Sequence, residues 1–288
     1  MRGVLFDMDG VLYNSEEPIQ GAAEAVAWVQ SRKIPHLFVT NTTSRGRDAL
    51  VEKLERFGIR TNQSQILTPC TTAASWLRTH ASGYAALFVT TKARVEFQGI
   101  ACLREEAETG AEYVVIGDLG DAWSFRTLNR AFRLLHSNPE ATLIALGMTK
   151  FWLAHDGLRL DVAPFITALE HATGRKALVF GKPDQRFFHA AIEQLGLPSH
   201  EIAMIGDGIE TDVKGAQEAG LKGVLVRTGK FRDSDLQGCV VPDAVLNSIA
   251  DLPDYWKKTV MLDASPGQAQ RSPGSGVERT KSPDRGDR

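Results

Sequence analysis

Four short apolar runs, far apart in the chain, each end in residues able to do chemistry. Val4-Leu5-Phe6 leads into Asp7-Met8-Asp9-Gly10, Leu37-Phe38-Val39 into Thr40-Asn41-Thr42, Leu178-Val179-Phe180 into Gly181-Lys182-Pro183, and Ala203-Met204-Ile205 into Gly206-Asp207, with Asp212 shortly after. Asp7, Asp9 and Asp207, with Asp212 behind them, would repel one another in a common cleft and could not all ionise there without a cation. An all-oxygen donor set suits a hard divalent ion, Mg²⁺ above all. Carboxylates do not attract a phosphate ester, so such a site also needs positive charge and hydrogen-bond donors. Lys182, Thr40 and the backbone N–H groups beside Asn41, that of Thr42 among them, supply these.

Taken singly, each piece has an ordinary reading. An Asp followed by Gly at a strand end is usually a turn or cap residue, Thr40-Asn41 could cap a helix, and Lys182 could be a solvated loop charge. Other motifs are excluded by single residues. A calcium loop opening at Asp7 requires Gly where Leu12 stands, a phosphate loop ending at Lys182 requires a hydroxyl where Pro183 stands, and no Gly-x-Ser-x-Gly occurs. The four pieces together, in this order, argue for one site.

The elements that must position these residues alternate regularly. Besides the four runs, Leu87-Phe88-Val89, Val114-Val115-Ile116, Leu143-Ile144-Ala145 and Val224-Leu225-Val226 read as buried strands, and helical periods such as 22–30, 47–57, 124–135, 164–172 and 186–195 lie between them. Alternation of this kind predicts an α/β fold with doubly wound parallel sheet and helices on both faces, in which ligands bind outside the carboxyl ends of the strands. One sheet edge is expected to gather all four motifs.

Composition sets outer bounds. Of 288 residues, 43% are apolar and 24% charged, enough to build a sizeable core. Lys plus Arg number 33 against 35 Asp plus Glu, a net −2 that argues against nucleic acid or anionic lipid as partner. No apolar run is long enough for a membrane span, and Asp7 interrupts what would have to be a signal-peptide core. Cys70, Cys102 and Cys239 are odd in number and form no Cys-x-x-Cys pair, so a reducing cytoplasm is expected. Residues 260–288, rich in Ser-Pro and Pro-Gly and without aromatics, read as a disordered tail.

In order, the four motifs resemble those of the haloacid dehalogenase-like hydrolase superfamily. Only 33 positions separate Asp7 from Thr40, whereas 142 separate Thr40 from Lys182. That spacing is similar to the subfamily with a large α/β cap inserted between the second and third motifs. The resemblance therefore implies a Rossmann-like core at 1–81 and 177–259 and a smaller C2-type α/β cap at 82–176. It implies Asp7 as nucleophile forming an aspartyl-phosphate, and Asp9 as acid and then base. Mg²⁺ would be held by the Asp7 carboxylate, the Asp9 carbonyl and Asp207, with Asp212 orienting metal waters or Lys182. Thr40, Asn41, Thr42 and Lys182 would bind phosphate, and relatives that pair through their caps suggest a homodimer. An acid at position 9 fits a leaving oxygen that needs a proton, so a phosphatase acting on a small phosphorylated metabolite, pyrophosphate or an N-phosphorylated compound is expected rather than a dehalogenase. Within the cap, Lys150 beside Phe151 and Trp152 either reaches the substrate or is a solvated charge beside cap core. Two other classes compete: a bacterial receiver module, whose acids come in a different order and which needs no insertion, and a catalytically silent phospholigand-binding protein on the same fold.

Overall fold

The computed structural model describes residues 1–154 and 156–264; His155 and the part of the expected tail at 265–288 lie outside the described residues. Along the chain the strands are β1 (Gly3–Asp7), β2 (Tyr13–Asn14), β3 (Glu17–Pro18), β4 (His36–Val39), β5 (Ile66–Leu67), β6 (Ala85–Phe88) and β7 (Tyr113–Ile116). They continue with β8 (Thr142–Ala145), β9 (Phe151–Ala154), β10 (Gly157–Leu160), β11 (Leu178–Val179), β12 (Ile202–Gly206), β13 (Lys222–Val226) and β14 (Ala244–Leu246). Two parallel sheets form the frame: one of six strands in the order β14-β13-β12-β1-β4-β5, and a smaller one in the order β11-β8-β7-β6.

Both faces of the larger sheet are covered, which is why its strands read as unbroken apolar runs. Successive residues of β1 go to opposite sides: Val4 and Phe6 pack with Phe38, Ala203, Ile205 and Val224, whereas Leu5 packs with Leu37, Val39, Met204 and Phe187. The smaller sheet divides in the same way. Phe88, Val114, Ile116 and Leu143 meet Leu134, Leu135, Ile166 and Leu169 of the helices Phe125–Ser137 and Val162–Thr173, while Leu87, Val115 and Ile144 meet Cys70, Ala73, Ala74 and Leu77 of the helix Pro69–His80. Among the described residues no helix is long and apolar enough to cross a membrane.

Two local outcomes differ from the expectations. Leu178-Val179 does not join the six-stranded sheet; it pairs with Ile144 and Ala145 of β8 at the edge of the smaller one. Lys182 therefore approaches from the second sheet, and the larger sheet edge alone does not gather all four motifs. An apolar run shows that a strand is buried, not which sheet it pairs with. The second difference lies at the C-terminus, where the helix Leu252–Ala264 runs past residue 260 into the stretch read as tail. Trp256 anchors this helix, buried in the main core and edge-on to Trp28 at 6.4 Å between ring centroids.

The segment after Thr40 joins the two layers. Thr43 Oγ1 accepts the Asp118 N–H (3.0 Å), Thr90 Oγ1 donates to the Ser44 carbonyl (2.8 Å), and the buried Glu96 carboxylate takes Arg47 at its N–H (3.0 Å) and Nε (2.9 Å). A buried carboxylate held this way fixes relative position more than it adds stability, because desolvation offsets much of its attraction.

Candidate active site

In the larger sheet the chain runs outward one way from β1 to β4 and β5, and the other way from β12 to β13 and β14. The crevice between β1 and β12 is thus the topological switch point, where open parallel sheets leave room for ligands. Register sets the level of each side chain. Asp7 lies opposite Val39 and Phe6 opposite Ile205, so Asp7, Thr40 and Asp207 leave three adjacent strands at one edge.

Asp7, Asp207 and Asp212 are buried, and each offers an oxygen within 4.8 Å of the others. Asp7 Oδ1 accepts from the Met8 N–H (2.8 Å) and from Lys182 Nζ (2.8 Å). Asp212 spends both oxygens on positioning: Oδ1 pairs with Lys182 Nζ at 2.6 Å, and Oδ2 accepts the Gly208 N–H at 2.9 Å. It rides on a wide π-type turn, Ile209–Lys214, of the kind that often marks functional sites. Asp207 Oδ2 accepts the Lys230 N–H (2.7 Å), while its Oδ1 is buried with no hydrogen-bond partner among the described residues. An orphaned carboxylate oxygen beside two further carboxylates, all hard oxygen donors, fits a small divalent cation.

The electrostatics agree. Burial pushes the Asp7 carboxyl up to about 7; Lys182 opposes that rise, and Asp212 and Asp207 add to it. Burial also pushes Asp207 up to about 6, reinforced by Asp212 and opposed by Lys230. For Lys182 burial favours the neutral form, but Asp212 and Asp7 more than offset it and hold the ammonium charged. One buried lysine does not neutralise three buried acids, so protons or a metal must supply the remaining positive charge.

The other expected residues divide. Thr40 is buried with its Oγ1 accepting the Thr42 N–H (3.2 Å) and donating to Thr42 Oγ1 (3.1 Å). Asn41 has its side chain committed to the Lys182 peptide, Nδ2 donating to the carbonyl and Oδ1 accepting the N–H, both at 2.8 Å. Asp9 stands outside the buried triad, exposed, with Oδ1 accepting the Ser15 N–H at 3.3 Å. The turn that follows Asp9 needs Gly10, with φ 89° and a would-be Cβ only 2.0 Å from Asp207 Oδ2. Lys150 is exposed and makes no side-chain ion pair among the described residues.

Sequence reasoning missed Lys230. Its backbone N–H holds Asp207, and although burial favours the neutral amine, Asp207, Asp7 and Asp212 raise its pKa on balance. The signal was present: Val224-Leu225-Val226 is a fifth apolar run followed by a polar loop, and its strand is hydrogen-bonded to β12.

Comparisons with known proteins point to one family. A family model described as haloacid dehalogenase-like hydrolase matches residues 4–100, and a second, HAD-hydrolase-like, matches 179–252. Human phospholysine phosphohistidine inorganic pyrophosphate phosphatase is 38% identical over 240 residues, covering 82% of this chain and 86% of the relative. The bovine haloacid dehalogenase-like hydrolase domain-containing protein 2 is 37% identical over 235 residues, covering 82% and 87%. Among solved structures, a p-nitrophenyl phosphatase from Archaeoglobus fulgidus superposes with a TM-score of 0.80 at 28% identity, covering 88% of this chain and 98% of that one. By its motifs, its sheet order and these matches across both halves, the chain belongs to the haloacid dehalogenase-like hydrolases.

Proposed function

We propose that this chain is a Mg²⁺-dependent phosphatase that moves a phosphoryl group from a small phosphorylated substrate to Asp7 and then to water. The observation that carries the reading is the state of Asp7. One of its oxygens is pinned by the Met8 N–H and Lys182, while Oδ2 has no hydrogen bond among the described residues. Oδ2 is then the atom free to attack phosphorus. The bond from phosphorus to the leaving group breaks as the Asp7–phosphorus bond forms, and Asp9 protonates the departing atom. In the second half Asp9, now a carboxylate, takes a proton from the attacking water, and Asp7 is released with inorganic phosphate. Splitting one displacement in two in this way is ordinary covalent catalysis.

The cation would be held by Asp7 and Asp207, and it would neutralise charge on the phosphoryl oxygens. Asp212 holds Lys182 rather than the ion, and Lys182 in turn places positive charge beside Asp7. Thr40 and Thr42 border the phosphate position, and Asn41 keeps Lys182 there.

Residues 1–81 and 177–259 act as the catalytic core and 82–176 as the cap, with the helix Pro69–His80 and β11 as the two seams. The hairpin β9–β10 carries exposed Phe151, Leu158 and Leu160, and Phe151 stands opposite Leu160 in its ladder. This apolar face supports pairing of two copies through the cap. Three free cysteines fit a reducing cytoplasm, the compartment we assign. The direct test is phosphate release from p-nitrophenyl phosphate, pyrophosphate and phospholysine with Mg²⁺ or with EDTA. Metal-dependent release from at least one supports the reading, and release from none overturns it.

A further inference from the structure

Lys53 is a buried lysine that the phosphoryl transfer described above does not use. It lies on the helix Arg47–Arg56, which follows the Thr40 loop, with 6% of its surface exposed. Lysine is almost never buried this far without a partner, and both of its partners here belong to the hairpin β2–β3. Its Nζ pairs with Glu16 Oε1 at 3.2 Å and stands 4.1 Å above the centre of the Tyr13 ring. Arg56, one turn further along the helix, reaches Glu16 Oε2 at 3.4 Å, and the Phe57 ring lies 5.6 Å from that of Tyr13.

The hairpin has little else to hold it. Its ladder consists of Tyr13 opposite Pro18 and Asn14 opposite Glu17, and a two-stranded ribbon of that size is marginal by itself. Ser15 sits in the left-handed region at φ 52°, a conformation that a residue other than Gly keeps only when its surroundings impose it. Residues 14–18 are exposed, and among the described residues the side-chain hydrogen bonds and ion pairs of this stretch are those of Glu16. Backbone bonds tie the base to the catalytic turn: the Gly10 N–H donates to the Tyr13 carbonyl (2.7 Å), that of Tyr13 to Met8 (3.3 Å) and that of Ile19 to Leu12 (3.0 Å). Lys53 and Arg56 tie the tip. Between base and tip the hairpin holds Asp9, whose Oδ1 accepts the Ser15 N–H at 3.3 Å while Oδ2 takes no hydrogen bond among the described residues. The direction of this carboxyl therefore depends on where the tip stands.

We propose that Lys53 is a positioning residue for Asp9: by seating Glu16 and Tyr13 it fixes the Ser15 N–H, which holds Oδ1 and leaves Oδ2 aimed at the departing oxygen. This rests on the phosphatase reading above. In the first half-reaction the proton on Oδ2 passes to the leaving oxygen as the bond from that oxygen to phosphorus breaks. In the second half the attacking water returns a proton to Asp9. Arg56 contributes little, because its pair with Glu16 is exposed on both sides, whereas the ammonium of Lys53 is buried.

The test compares kcat/KM for phenyl phosphate and p-nitrophenyl phosphate in the full chain with Mg²⁺. Phenolate is the more basic leaving group and needs the proton more, so the ratio of the two reports how well Asp9 serves as an acid. Lys53→Met should lower the phenyl-to-nitrophenyl ratio about fivefold, and Glu16→Ala should lower it in the same direction. In an Asp9→Ala background the same substitutions should leave the ratio unchanged, because the group they position is gone. If Lys53→Met fails to fold, Glu16→Ala, on the exposed side of the pair, carries the comparison. A ratio that falls only while Asp9 is present supports the positioning role. Equal losses for both substrates, an unchanged ratio, or the same fall without Asp9 would overturn it and leave the phosphatase reading standing. A wild-type chain that hydrolyses neither ester would overturn that reading and this one with it.

Discussion

The amide of Asn41 grips the peptide of Lys182 at both ends, donating to its carbonyl and accepting its N–H, each at 2.8 Å. Lys182 in turn bridges Asp7 at 2.8 Å and Asp212 at 2.6 Å. The loop after β4 therefore sets the one buried cation of the site through its backbone. Asn41→Ala leaves a peptide N–H and carbonyl without partners, each costing about 1–3 kcal/mol if water does not replace them. Both the midpoint of thermal unfolding and kcat should fall. An Asn41→Ala protein with unchanged kcat would mean that Lys182 is held by its ion pairs alone.

Asp7→Asn should abolish turnover while the protein stays folded, since the amide lacks the nucleophilic oxygen but preserves shape. Asp9→Ala should slow phosphate release by about 10²–10⁴-fold, the usual contribution of a positioned acid and base. Steady-state kinetics on p-nitrophenyl phosphate, with circular dichroism to check the fold, decides both. Wild-type rates in Asp7→Asn would refute the assignment of the nucleophile.

Stability should respond to pH and metal together. The folded-state values of Asp7 (about 7) and Asp207 (about 6) lie above the ordinary 3.8. Between these limits the metal-free folded chain binds more protons than the unfolded chain, so the contribution of these protons to stability is full below 3.8, falls as the pH rises toward 6 and 7, and is gone above them. A divalent cation substitutes for those protons. Added Mg²⁺ should accordingly raise the unfolding temperature, relative to EDTA, more at about pH 8 than at about pH 5. Equal shifts at both pH values would contradict this account.

Gly229 has φ 64°, and a Cβ there would fall 2.2 Å from Asp207 Oδ2. Gly229→Ala must displace either the loop or the carboxylate, at a cost of about 1–3 kcal/mol for the backbone strain alone. Weaker Mg²⁺ activation should accompany the lower stability. A variant with wild-type metal dependence would show that the loop can yield without moving Asp207.

The hairpin β9–β10 makes the last prediction. Replacing exposed Phe151, Leu158 and Leu160 by Ser should leave kcat intact and convert a dimer to a monomer in sedimentation velocity. A wild-type chain already monomeric at micromolar concentration would rule out pairing through this face.

Much of the site was legible in the linear chain because its parts are local. An apolar run of three residues followed by Asp-x-Asp-Gly, Thr-Asn or Gly-Asp states both a buried strand and what stands at its end, and strand-helix alternation dictates parallel pairing and a common edge. Which strands become neighbours was not legible, because hydrogen bonding between strands leaves no local trace. Leu178-Val179 looks like any other buried run, yet it pairs with β8, and so Lys182 reaches Asp7 from the smaller sheet. Likewise nothing near Asn41 in sequence indicates that its amide serves Lys182, 141 residues away, rather than a ligand. Residue types and spacing determined which chemistry was available; the tertiary structure decided which groups face one another, because the strength of a charge or a hydrogen bond depends on distance and burial, and neither exists until the chain has folded.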